Sequence, residues 1–506
     1  MFLRAGLISM ALLLASRLTG LVRETAQAAA LGLSADGDIV VLMLTLPDLL
    51  VNVFFLGGLA YIALPLWAAQ TPAGRAASQR RMAWWCVGGG LLLALAIALG
   101  QHALVRLLAP GLGAASSLEA ARGLLWVALL LPFTALASVW YCRLQFERDF
   151  VGLYGWNLLV NAVLIGTLYA MASVAGRWPL STVFGAALVL ALLLRLAWQF
   201  WRLQRLQLPA AAQGSAAVVW PSPQGWLWAA VAAGLPLTLP LIARSVAAGA
   251  GDGALSAFNY AFKLIDLPHS LAVQVVATLA FPAVSRAVVE HMARVGTPDA
   301  VRAPGAAALT VLPDLRAIRS AYLFAWALAC AGACALASQS QAIALLLFGW
   351  GRMQGEQVAM LAGWASAGAW SLLPQALISV TAVVMASSYQ LRALAWGFAF
   401  AAATLVAWGM LQSGAVDGAA AMLALTAVQV LLALGLMWCA RRQIRSSLPL
   451  AQMAAVAGVA VALAVLFAAL PPAATVWGWF FAATAAAVVL ATAFGISPDM
   501  RAALKR

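Results

Sequence analysis

The chain has 506 residues, of which 65% are hydrophobic and 9% charged, with a net charge of +14 and a mean hydropathy of +0.97. This composition excludes a soluble globular domain, which has no use for so much apolar surface. It also shows no solvated basic domain that would make the charge a nucleic-acid footprint.

Apolar runs of about 20 residues, the length of a spanning helix, recur along the chain. The period-two alternation of membrane strands is absent. Roughly fourteen such runs begin near Leu7, Asp38, Met82, Gly123, Leu153, Thr182, Trp226, Leu255, Ile318, Gln357, Leu394, Asp417, Pro449 and Val476. The expected fold is an all-α polytopic membrane protein. Residues 1–210 form an N-terminal six-helix lobe, 220–446 a C-terminal six-helix lobe, and 447–506 an additional helix pair with a short cytoplasmic tail.

Basic residues punctuate the even-numbered connections, among them Arg75, Arg80, Arg81, Arg143, Arg202 and Arg441. The odd-numbered ones hold only Arg106, Arg122, Arg177 and Arg352. The positive-inside rule then puts both termini in the cytoplasm. Arg4 precedes a short apolar core in the manner of a secretory signal, but Arg17 and Arg23 interrupt it, so the first helix reads as uncleaved.

Those two arginines are the most telling charges. An ionised group at mid-bilayer costs roughly 2.5–3.5 kcal/mol even on the lenient insertion scale, so it faces water or a partner. In SRLTGLVRE they flank Gly20, a place for the helix to bend. At 100° per residue they stand about 120° apart and border one broad cavity. Glu24 offers the competing reading for Arg23, an internal ion pair. Arg244 lies in the seventh predicted helix near Asp252, and Arg195 near the inner end of the sixth, where snorkelling is expected.

The chain repeats after six helices. LPDLLVNVFFLGGLAYIALP in the second and LPHSLAVQVVATLAFP in the eighth each carry two prolines, Pro47 and Pro65 against Pro268 and Pro282. A parallel repeat of this kind encloses a cavity between two lobes. Pro47 and Pro268 are candidate bending points for gating. Asp38 either caps the second helix or makes a gating contact with a basic residue. The five cysteines and three histidines show no metal spacing, with Cys330 and Cys334 read as small packing residues. No paired loop carboxylates and no phosphate-cradling Gly-rich loop make a case for an enzyme.

The ordered segments SRLTGLVRE, GDIVVLMLTLPDLL, GGLAYIALPLW, YCRLQFERDFVGLYGWNLLVNAVLIG, YAFKLIDLPHSLAVQVVATLAFPAVSR and LLFGWGRMQGEQV resemble the MurJ/MviN lipid II flippases of the multidrug/oligosaccharidyl-lipid/polysaccharide exporter superfamily. The resemblance implies essential cations in a central cavity, carried over to Arg17 and Arg23, with Asp38 as the acidic residue opening the second helix. A cavity arginine of the eighth helix falls on Lys263, and one of the second helix falls on Asn52. The family's Ala-Glu-Gly-Ala segment reads Phe55-Leu56-Gly57-Gly58 here.

The expected substrate-binding set is Arg17, Arg23, Lys263, Arg244 and Asn52, with Asp38, Gly20, Pro47 and Pro268 in gating. Lys263 has Asp266 one turn away as a competing partner.

The function expected from the resemblance is flipping of an undecaprenyl-pyrophosphate-linked peptidoglycan precursor by alternating access. The alternatives are another polyprenyl-linked oligosaccharide or a multidrug or cation antiporter. No cofactor or metal is expected. The drive is the membrane potential, about 2.3 kcal/mol per charge per 100 mV, or an ion gradient. The partners are the lipid-linked glycan, membrane lipids and cell-wall synthesis enzymes.

Overall fold

The computed structural model describes residues 2–68, 70–174, 178–206, 223–279, 315–387, 390–412, 414–441, 448–469, 476–498 and 500–501. Among them there are helices and short turns and no strand. The helices are α1 Phe2–Leu31, α2 Ala35–Leu50, α3 Gly57–Ala68, α4 Pro72–Leu108, α5 Ala114–Phe146, α6 Phe150–Val174, α7 Leu180–Arg205 and α8 Pro223–Ala247. They continue as α9 Ala254–Leu279, α10 Leu315–Phe348, α11 Gly355–Gly368, α12 Leu372–Ser387, α13 Leu391–Leu411, α14 Gly418–Cys439, α15 Leu450–Ala468 and α16 Val476–Ile496. Eleven helical segments among the described residues are long and apolar enough to cross a membrane. A shorter apolar helical piece, Gly234–Ala250, adds to them.

The chain forms two compact units. Unit 1 comprises Met1–Leu241, Ala248–Ser256 and Trp350–Gln354. Unit 2 comprises Ile242–Ala247, Ala257–Gly349 and Gly355–Arg506.

In unit 1, α5 is the central post, packed against α2, α4 and α7, while α1 lies along α6. Its core is built from Met43, Trp67, Leu124, Leu131 and Phe184, all buried. Lipid tails supply no hydrophobic drive between helices, so close backbone approach does the work. At Gly90 a Cβ would lie 2.7 Å from the Pro132 Cα, which is how α4 seats against α5.

The motif RLQFERDF makes the α5–α6 corner. Arg143 pairs with Glu147 at 2.8 Å, and Arg148 turns the chain at φ 57°. Asp149 accepts from the Gly152 amide at the start of α6 and pairs with Arg202 of α7.

The second expected span is a continuous helical stretch with a widened turn inside it. Pro47 cannot donate to the ladder, and the turn that follows, Val51–Leu56, winds as a π-helix before α3 begins at Gly57. Such widened turns favour functional positions in membrane helices.

In unit 2, α10 is the post. The terminal pair α15 and α16 packs onto it through small side chains, Ala327, Ala331, Ala460, Ala464, Ala485 and Ala493, all buried. Cys330 and Cys334 sit inside this seam as packing residues. Trp326 donates to the Met453 carbonyl at 2.9 Å and Trp479 to the Ala342 carbonyl at 3.2 Å, which fixes the register of the pair.

Candidate functional site

In unit 1 the site is built on α1. Ser16, Thr19, Gly20 and Arg23 fall within an arc of about 100° on an ideal helix. That arc faces α6, where Asn157 and Asn161 stand one turn apart. Asn157 donates to the Ser16 hydroxyl, and Asn161 donates to Thr19 at 3.1 Å. Arg23 closes the seam, 3.5 Å from the Asn161 carbonyl oxygen and 2.8 Å from Glu24, with its side chain 18% exposed. Arg23 therefore sits in a polar seam with its own counter-ion, as the competing reading anticipated. Helix α1 runs unbroken through Gly20, where a Cβ would meet only the Asn161 amide at 3.9 Å. Gly20 thus lies inside a continuous helix in this conformation.

Arg17 lies outside that arc. It is exposed, beside the exposed Leu14 and Leu18, and makes no hydrogen bond or ion pair with a described residue. Tyr141 and Tyr154 are its electrostatic neighbours.

The Arg195 guanidinium stacks 3.9 Å above the Trp156 ring, a cation–π contact. The exposed carboxylate of Asp48 acts electrostatically on both Arg23 and Arg195. Three guanidiniums and two carboxylates thus share the α1–α2–α6–α7 region.

Sequence reasoning passed over Asp48, Asn157 and Asn161. The available signal was their polarity in otherwise apolar segments, which in a membrane marks function or interhelical hydrogen bonding by default.

Asn52 lies in the π-helical turn. Its side-chain amide donates to the Asp48 carbonyl at 2.7 Å, so it satisfies its own helix.

Asp38 is almost wholly buried, and its role is a correction. Ser34, not Asp38, caps α2, accepting from the Gly37 amide. Asp38 instead accepts from the Gly253 amide at 2.7 Å and the Ser256 amide at 2.6 Å. These are orphan donors at the first turn of α9, and a carboxylate is their best acceptor. Among the described residues no basic side chain pairs with it in this conformation. Asp252 is likewise engaged with a backbone amide, that of Gly113, at 3.2 Å.

In unit 2, Arg244 donates to the Asn259 carbonyl oxygen at 2.9 Å rather than meeting Asp252. Lys263 and Asp266 are 3.6 Å apart, each side chain 35% exposed. Pro268 lies inside α9 against α10, where a Cβ on Gly332 would come within 2.9 Å of its ring. The repeat's Pro282 lies outside the described residues.

Comparison with solved structures shows that the chain has the fold seen in MurJ and in multidrug exporters. A structure described as the lipid II flippase MurJ in an inward closed conformation matches with a TM-score of 0.73 and 12% identity, covering 99% of this chain and 100% of that one. An inward-facing multidrug resistance MATE family transporter of the MOP superfamily matches at 0.63 and 12%, covering 85% and 95%. A MOP superfamily transporter from Pyrococcus furiosus, described as having reversed pocket polarity, matches at 0.56 and 13%, covering 87% and 94%. No protein-family model and no curated protein matches the chain.

Proposed function

We propose that the chain is a transporter that flips a polyprenyl-diphosphate-linked glycan across the bacterial inner membrane by alternating access, with both termini cytoplasmic. Lipid II is the first candidate cargo. The observation that carries this reading is Arg17, an exposed guanidinium on a membrane helix with no ion-pair partner among the described residues. An unpaired cation within a bilayer is expensive, and a diphosphate is the chemistry that its planar fork matches. Arg195, whose partner is the Trp156 ring, supplies a second guanidinium, and Arg23 is paired with Glu24. The MurJ-like fold, which takes in nearly the whole chain, supports the same cargo class.

A second reading keeps the mechanism and changes the sugar to an exopolysaccharide or O-antigen unit. Asn52 favours it, because a neutral amide, here bonded back to its own helix, stands where the resemblance implies an arginine.

The test is complementation of a strain depleted of its lipid II flippase. Wild type restores growth, whereas Arg17→Ala does not at equal membrane abundance. Full rescue by Arg17→Ala overturns the assignment of the site. Failure of wild type together with translocation of a different lipid-linked glycan selects the second reading.

A further inference from the structure

A cavity of about 750 Å³ opens at the end of unit 1 that carries the α1–α2, α4–α5 and α6–α7 connections. That volume lies in the range of small-molecule sites. None of the residues assigned to transport lines it. Its floor is apolar. Ala26, Ala29 and Ala30 of α1 leave the space, and Leu168, Met171 and Val183 of α6 and α7 close it.

The rim carries Asp36, Glu119, Arg352, Tyr169 and Trp178. Arg352 is held there by backbone geometry. Its amide donates to the Ala29 carbonyl at 2.8 Å, and Gly351 adopts φ 63° where a Cβ would lie 2.3 Å from that same oxygen. Only glycine permits so close an approach.

The rim charges divide into engaged and available. Glu119 accepts from the Ser181 amide at 2.9 Å and faces Arg122 at 3.6 Å. Asp36 and the Arg352 guanidinium have no hydrogen-bond or ion-pair partner among the described residues, and both are exposed. One free carboxylate and one free guanidinium therefore stand above a single apolar floor. A purely anionic head group leaves Asp36 opposed to like charge, and a neutral sugar satisfies neither ion. A molecule with an ammonium and a phosphate close together on an apolar body satisfies both. Tyr169 is 76% exposed and Trp178 66%, as expected of amphipathic rings at head-group depth. The spans of α6 and α7 are each only 33% buried, so their apolar faces are open to lipid.

We propose that this cavity binds a zwitterionic aminophospholipid of the phosphatidylethanolamine type, with the ammonium on Asp36 and the phosphate on Arg352. The assignment does not rest on the transported cargo, and its readout is lipid retention rather than transport.

The test is native mass spectrometry of the full chain in detergent with equal amounts of phosphatidylethanolamine and phosphatidylglycerol. Wild type retains the ethanolamine lipid preferentially. Asp36→Asn and Arg352→Gln each lower that retention roughly tenfold, the loss of one charge-assisted contact. Ala30→Phe, which fills the floor and leaves the charges, lowers it as well. In unaltered protein, a photoreactive phosphatidylethanolamine labels Met171 or Val183, so the proposal can fail even where a variant misfolds. Equal retention of phosphatidylglycerol, retention indifferent to both charge variants, labelling only elsewhere, or displacement by a soluble disaccharide-peptide would each overturn it.

Discussion

Arg17 and Arg23 look alike in sequence and differ in structure. The arc between them decides this: Arg23 falls into the seam with α6, while Arg17 emerges beside it. The two substitutions should therefore fail differently. Arg23→Ala removes the cation 2.8 Å from the buried Glu24, a loss on the order of 3 kcal/mol. It should lower the unfolding temperature, and adding Glu24→Gln should recover part of that loss. A double variant no more stable than the single one would mean that the pair is not coupled. Arg17→Ala should leave the unfolding temperature unchanged. Asp38 makes a third case. Asp38→Ala removes the acceptor of the Gly253 and Ser256 amides, two bonds to a charged group worth about 1.5–3 kcal/mol each. Faster hydrogen exchange across 253–256 is the expected signature, and unchanged exchange would show that the carboxylate does not hold that turn.

Helix packing gives a sharper contrast. Gly90 touches the backbone of Pro132, whereas Gly88, two residues earlier on α4, has nothing within 4 Å. Gly90→Ala should destabilise by about 1–3 kcal/mol through overpacking. Gly88→Ala should be neutral or stabilising by about 0.5–1 kcal/mol through helix propensity. Thermal unfolding of the two variants checks this, and equal effects would contradict the packing. Much of this architecture was legible beforehand. Run length and hydropathy located the helices, because a bilayer requires about twenty apolar residues per crossing. Three features were not legible. The π-helical turn after Pro47 depends on how the freed carbonyls re-pair. The Asn157–Asn161 seam depends on which face of α6 meets α1. Asp38 serves a helix start more than two hundred residues away, and no local spacing reports that.

At the scale of the molecule, each unit has one central helix, α5 in the first and α10 in the second, and the terminal pair α15–α16 belongs to the second. Two short segments, 248–256 and 350–354, fold with unit 1 although the sequence places them in the C-terminal half. Backbone contacts account for this: Asp38 grips the first, and the Ala29 carbonyl accepts from the second. Solved structures of this fold are described as a lipid II flippase and as multidrug transporters, so under the proposed function the cargo is read from charge. The exposed cation of α1 argues for an anionic lipid-linked head group over a cationic drug. The most direct test is a translocation assay in proteoliposomes with polyprenyl lipids of defined head group. The account predicts movement of diphosphate-linked glycans, little movement of the uncharged polyprenol, and loss of transport in Arg17→Ala. Cation or drug efflux with no diphosphate-lipid movement, or undiminished transport by Arg17→Ala, would contradict it.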